Sequence, residues 1–143
     1  MPYGITMLGD NPDSVKMFNG PVRPAYLYKL LMRLKSEYNN PVMIITENGA
    51  GYGESDDRLV GKTVNDQLRV DYVKRHIDTA MQARKDGANL QGYTLWSIFD
   101  NFEWIFGYNR RFGIVYVNFE TQERIPKKSY YEYQKIIRFY QHK

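Results

Sequence analysis

The chain has 143 residues, enough for one domain with its own core and well short of the ~250 residues of a complete eight-fold α/β barrel. Twenty Lys and Arg against 16 Asp and Glu give a net charge of +4 with the signs interleaved, not the one-sided excess of a dedicated nucleic-acid binder, and no run approaches the ~18 apolar residues of a membrane span. Cysteine is absent, which excludes disulfides, thiolate nucleophiles and thiolate metal sites, and Met1-Pro2-Tyr3-Gly4 shows no charged-then-apolar leader, so a soluble chain in the cytoplasm is expected.

Residues 1–23 have no sustained period and are broken by Gly4, Gly9, Asn11-Pro12 and Asn19-Gly20-Pro21, which predicts an irregular N-terminal arm. From Pro24 the spacing of Leu27, Leu30, Leu31 and Leu34 predicts a helix over 24–38 with one apolar stripe. Asn39-Asn40-Pro41 ends it, and the uninterrupted run Val42-Met43-Ile44-Ile45 predicts a strand of a parallel sheet, buried on both faces. A polar loop over 49–62 follows. Thr63 and Asp66 have capping-box spacing for a second helix, lined by Val70, Val73, Ile77, Ala80 and Met81 and closed near Gly87. Residues 90–97 read as a second strand, so strand, helix and strand form a parallel crossover. Phe112–Val117 and the stretch to Ile125 predict an antiparallel hairpin, after which Ser129 and Glu132 repeat the capping spacing for a last helix with Tyr133, Ile136, Ile137 and Tyr140 on its face.

Two places carry chemistry. Glu47 follows an apolar strand in the turn Asn48-Gly49, and parallel-sheet enzymes place reactive groups where strands leave the core. By position alone, a solvated turn glutamate is an equally good reading. The second place is Trp96-Ser97-Ile98-Phe99-Asp100-Asn101-Phe102-Glu103-Trp104, which puts both tryptophans of the chain beside two carboxylates at the end of the other strand. Indole faces stack on the C–H faces of sugars, while carboxylate oxygens accept from their hydroxyls. Core packing is the competing account of Phe99 and Phe102. His76, among Lys74 and Arg75, and Lys127-Lys128 read as solvated positions, and the tyrosines of 130–140 read as packing.

The runs Ile44–Gly49, Gly92–Ser97, Asp100–Trp104, Gly107-Tyr108 and Arg111–Val117 closely resemble the C-terminal part of glycoside hydrolase family 1, the β-glucosidase type. The resemblance implies an α/β fold comprising the last two βα units of a (β/α)8 barrel, incomplete as a single chain, with a short antiparallel hairpin before the final helix. On that basis 1–23 is the arm and 24–143 the C-terminal part of the barrel. By the same resemblance Glu47 is the nucleophile of a retaining β-glycosidase, Trp96 floors the sugar subsite, Glu103 and Trp104 bind its hydroxyls, and Phe112 closes the pocket. No cofactor or metal is implied. Glu103-Trp104 resembles the members that take unphosphorylated β-glycosides, since 97–112 lacks the Ser/Lys/Tyr phosphate clamp of the phospho-glycoside branch.

The chain departs from the family pattern in two ways. It contains no Asn-Glu-Pro, the motif that carries the acid/base glutamate, and Gly20 is followed by Pro21 where the family has tryptophan. Glu54 and Asp100 are the nominees for the missing acid, without support from their context. Two strands alone leave two unpaired edges, so the expectation is self-association or a complementary barrel chain. The alternatives are a catalytically inactive sugar-binding or self-associating module and, from the Tyr-rich basic surface, a single-stranded nucleic-acid binder; the favoured partner is a β-glycoside, with neither nucleic acid nor membrane.

Overall fold

The computed structural model describes the backbone of 16–17 and, in full, residues 20–53 and 57–141. Most of the expected arm, Glu54 and His142 lie outside the described residues. Lys16–Met17 (β1) pairs antiparallel with Gly20–Pro21 (β2), a ladder that the irregular arm did not anticipate.

Helix α1 spans Pro24–Glu37 with proline in its first turn, where the missing N–H has no intrahelical partner to lose. Asn39 and Asn40 then take positive φ (58° and 48°), and the Asn40 amide donates to the Gly87 carbonyl at 3.0 Å. Only part of the leucine stripe is covered: Leu31 is buried and Leu30 is exposed.

Strand β3, Met43–Asn48, leads through a small hairpin, β4 (Leu59–Val60) and β5 (Thr63–Val64), into helix α2, Gln67–Lys85, and on to strand β6, Leu90–Leu95. Strands β3 and β6 pair in parallel. One face of this pair is closed by Leu31, Ala80, Ala83 and Ala88, which pack with Met43 and Leu90. The other face is open: Ile44 is 60% and Val42 68% exposed. The expectation of a strand buried on both faces is therefore corrected, because a two-stranded sheet has no second layer here. A 3-10 turn, Trp104–Phe106, precedes the hairpin of β7 (Val115–Val117) and β8 (Arg124–Pro126), and helix α3, Lys128–Gln141, packs on α2. Together these elements are a partial α/β arrangement; among the described residues no barrel closes.

Both predicted capping boxes are absent. Thr63 is taken up in the β4–β5 ladder, and Asp66, the N-cap of α2, turns its carboxylate to Arg69 and to Ser129. Ser129 sits inside the first turn of α3, where its backbone N–H donates to Asp66 at 2.9 Å and its hydroxyl at 2.5 Å, so the N-cap residue of α2 satisfies an N–H at the start of α3. His76 is buried rather than solvated, stacked on Tyr72 at 3.9 Å, with Nδ1–H donating to the Tyr72 carbonyl at 2.8 Å.

Candidate active site

Glu47 is exposed at the carboxyl end of β3. The register explains this: Ile45 stands opposite Tyr93 and Asn48 opposite Leu95, so β3 carries one extra residue between them. Such a bulge breaks the alternation of faces and re-aims a side chain. Asn48 is turned to the neighbouring strand, where its Oδ1 accepts from the hydroxyl of Tyr93 on β6 at 2.7 Å. Burial pushes the Tyr93 hydroxyl far above the ordinary tyrosine range, so it stays a donor at any pH the fold meets.

Trp96 lies just past the end of β6, and its N–H donates to the Asn48 carbonyl at 3.1 Å. The two strand ends are thus tied directly. Its side chain is 38% exposed, and the Trp96–Ser97 peptide is cis. Gly49 passes so close to the Trp96 carbonyl that no Cβ would fit. Gly51 meets the ring of Phe112 in the same way, so the buried Phe112 packs between the segment after Glu47 and the segment after Trp96.

The loop after Trp96 bends tightly. The Glu103 N–H donates to the Gly107 carbonyl at 2.7 Å, and Trp104 (φ 39°) stands 83% exposed beside a half-buried Glu103. Phe102 is exposed, not core, and meets the edge of Tyr108, whose ring contacts Phe119. Arg111 supports that string from below, 4.9 Å from the Phe119 ring and 4.3 Å from the Tyr116 ring. An exposed carboxylate and an exposed indole therefore stand at the carboxyl ends of two paired strands, with Glu103 and Trp104 on the loop beyond the indole.

Asp100 does not belong to that open group. It is 3% exposed, and its carboxylate accepts from Arg111 at 2.7 Å, Lys127 at 2.8 Å and the Gly113 N–H at 3.0 Å. A carboxylate so engaged is not available as a general acid, and that nomination is corrected. Lys127, read from sequence as surface charge, is fully buried and bridges Asp100 to Asp57, at 2.8 Å each. Arg69 completes the cluster. Its guanidinium donates to both oxygens of Asp57 (2.7 and 2.6 Å), to Asp66 (2.6 Å), and to the carbonyls of Ala50 (3.2 Å) and Arg111 (2.6 Å). Burial pulls its proton affinity down, but Asp57 and Asp66 outweigh that and hold it above the ordinary arginine value. Sequence reasoning missed this network. Only the three-residue spacing of Asp66 and Arg69 was a visible signal.

Carboxylate and indole at the carboxyl ends of neighbouring parallel strands are the layout on which α/β enzymes build strand-end sites. Residues 11–141 match the family model for glycosyl hydrolase family 1, and the chain belongs to that family. It is 50% identical over 121 residues to beta-glucosidase A of Enterobacter agglomerans, covering 85% of this chain and 25% of that protein. It is 49% identical over 116 residues to a 6-phospho-beta-galactosidase of Streptococcus mutans serotype c, covering 80% of this chain and 24% of that one. Among solved structures, the beta-glucosidase of Exiguobacterium antarcticum B7 matches with a TM-score of 0.85 at 43% identity, over 92% of this chain and 29% of that one. The Thermotoga maritima beta-glucosidase in complex with noeuromycin matches with a TM-score of 0.82 at 45% identity, over 90% and 29%. The chain thus spans about a quarter of the length of the curated relatives it matches.

Proposed function

We propose that this chain supplies the nucleophile and part of the sugar subsite of a retaining, β-glucosidase-like glycosidase that hydrolyses O-glycosidic bonds of unphosphorylated β-glycosides. In this reading its strands are those of the last two βα units of an eight-fold barrel, with 24–143 the C-terminal part of that barrel. The observation that carries it is the exposure of Glu47 at the carboxyl end of β3, next to Asn48, whose carbonyl accepts from the Trp96 N–H at the same end of β6.

The chemistry follows from those positions. The Glu47 carboxylate attacks the anomeric carbon as the bond to the leaving oxygen breaks, and water later cleaves the resulting ester. Trp96 takes the sugar face, Glu103 accepts from its hydroxyls, Trp104 donates its indole N–H, and Phe112 backs the pocket against Gly51. A retaining enzyme needs a second carboxyl ~5–5.5 Å from the first to protonate the leaving oxygen. Asp100 is spent on Arg111 and Lys127, so in this reading that group comes from the part of the barrel outside these two βα units.

Similarity runs equally to a β-glucosidase and a phospho-β-galactosidase, so the loop decides the substrate class. Glu103 adds a negative charge to the loop, which disfavours a phosphorylated sugar, and Arg111 is already paired to Asp100. A β-glucoside titration followed by the fluorescence of Trp96 and Trp104, the only tryptophans, tests this reading. A saturable change that Glu103→Gln weakens about tenfold is expected, with no response to the 6-phosphorylated sugar. No response to either sugar, or a preference for the phosphorylated one, counts against it. The exposed Val42, Ile44 and Ile98 favour a second reading, an inactive self-associating or sugar-binding module.

A further inference from the structure

We propose that Lys127 is a positioning residue that holds the two site loops together: the segment following Glu47, and the segment carrying Trp96, Glu103 and Trp104. The inference rests on the glycosidase reading of those four residues. Lys127 leaves the chain just after β8, far in sequence from either loop, and its side chain is fully buried. Its ammonium donates to Asp57 Oδ2 and to Asp100 Oδ1, both at 2.8 Å. Asp57 belongs to the connection between Glu47 and α2, and Asp100 lies between Trp96 and Glu103.

The charges around it balance. Arg69, Arg111 and Lys127 face Asp57, Asp66 and Asp100, all buried. Lys127 alone among the cations touches carboxylates of both loops, while Arg69 adds its bonds to the carbonyls of Ala50 and Arg111. Without the ammonium, Asp57 and Asp100 would face each other across the gap it fills, and like charges in a dry setting separate. Opening that gap would move Asp100, and with it the turn that presents Glu103 and Trp104. Burial, and then the nearby Arg69, lower the proton affinity of Lys127 against the pull of both aspartates. An ion held at that cost gives the site geometry, since its desolvation offsets its attraction. The core beneath α1 does not involve the network, so the loops can shift while α1 keeps its packing on α2.

The test is Lys127→Met, which keeps the length of the side chain and removes its charge. Acrylamide quenching of Trp96 and Trp104 reads the sugar loop, and far-ultraviolet circular dichroism reads the helices. Quenching should rise about twofold with helix content retained. The saturation constant for labelling by an activated 2-deoxy-2-fluoro-β-glucoside should rise about tenfold, with the limiting rate changed far less. If Lys127→Met does not fold, Asp57→Asn keeps the ammonium and neutralises the carboxylate that it shares with Arg69; the substitution lies on the other loop, yet it should raise tryptophan quenching through Lys127. Unchanged quenching in the folded variant, or a loss of thermal stability alone, overturns the proposal. If the unsubstituted chain takes no label, the glycosidase reading fails, and the quenching still decides the role of Lys127.

Discussion

Gly49 packs against the backbone of Trp96 without room for a methyl group between them. With the 3.1 Å bond from the Trp96 N–H to the Asn48 carbonyl, this contact makes the ends of β3 and β6 a single unit. Gly49→Ala must therefore push the two strand ends apart, a strain of about 1–3 kcal/mol. Urea unfolding should show that loss, and the sugar-induced change in tryptophan fluorescence should vanish with it. A variant with an unaltered midpoint would mean that the turn has slack.

Arg69 spends every guanidinium N–H on a buried acceptor. Arg69→Met leaves Asp57 with only Lys127 and Asp66 with only Ser129, and a broken buried pair costs about 3–5 kcal/mol. Against the ~5–15 kcal/mol stability of an ordinary domain, the variant should unfold at much lower urea or fail to fold at all. Midpoints measured side by side check this, and equal midpoints would contradict it.

His76 predicts a slope with pH. Burial lowers its pKa below the ordinary 6.5; the bond to the Tyr72 carbonyl opposes that, and Arg75 adds to it. The folded state thus holds the neutral ring. Its stability contribution is complete above about 6.5, the unfolded value, and is lost as pH falls through the depressed folded one. The carboxylates titrate too, so the informative quantity is the stability difference from His76→Phe. That difference should shift in favour of phenylalanine below pH ~6.5 and stay flat above it; a difference independent of pH would refute the assignment.

Ile44, 60% exposed, and Ile98, 58% exposed, leave apolar surface beside strands whose outer edges are unpaired among the described residues. Such edges recruit further chains. Sedimentation velocity should show an average mass that grows with concentration, and Ile44→Lys should reduce it. A single monomer at every concentration would count against both self-association and the need for a complementary chain.

The helices and the parallel strand pair were legible because apolar period and breakers are local: Pro24 opens α1, Asn39-Asn40 close it, and Val70, Val73, Ile77 and Ala80 mark one face of α2. The β7–β8 hairpin was legible for the same reason. Lys127 and Lys128 look alike in sequence, yet one is buried between two aspartates and the other is exposed, because its partners lie 27 and 70 residues away. The bulge that turns Glu47 outward depends on the register with β6, which no single strand encodes. In the site, strand-end position and the aromatic run were readable, whereas the cluster supporting them was not.

Trapping of the glycosyl intermediate tests the central claim most directly. A 2-deoxy-2-fluoro-β-glucoside with an excellent leaving group needs no acid to depart, so it interrogates Glu47 without the missing partner. The account predicts one covalent sugar by intact mass, mapped to the peptide containing Glu47 and absent in Glu47→Gln. A label on another residue, or none where a full-length family enzyme is labelled in parallel, would contradict it.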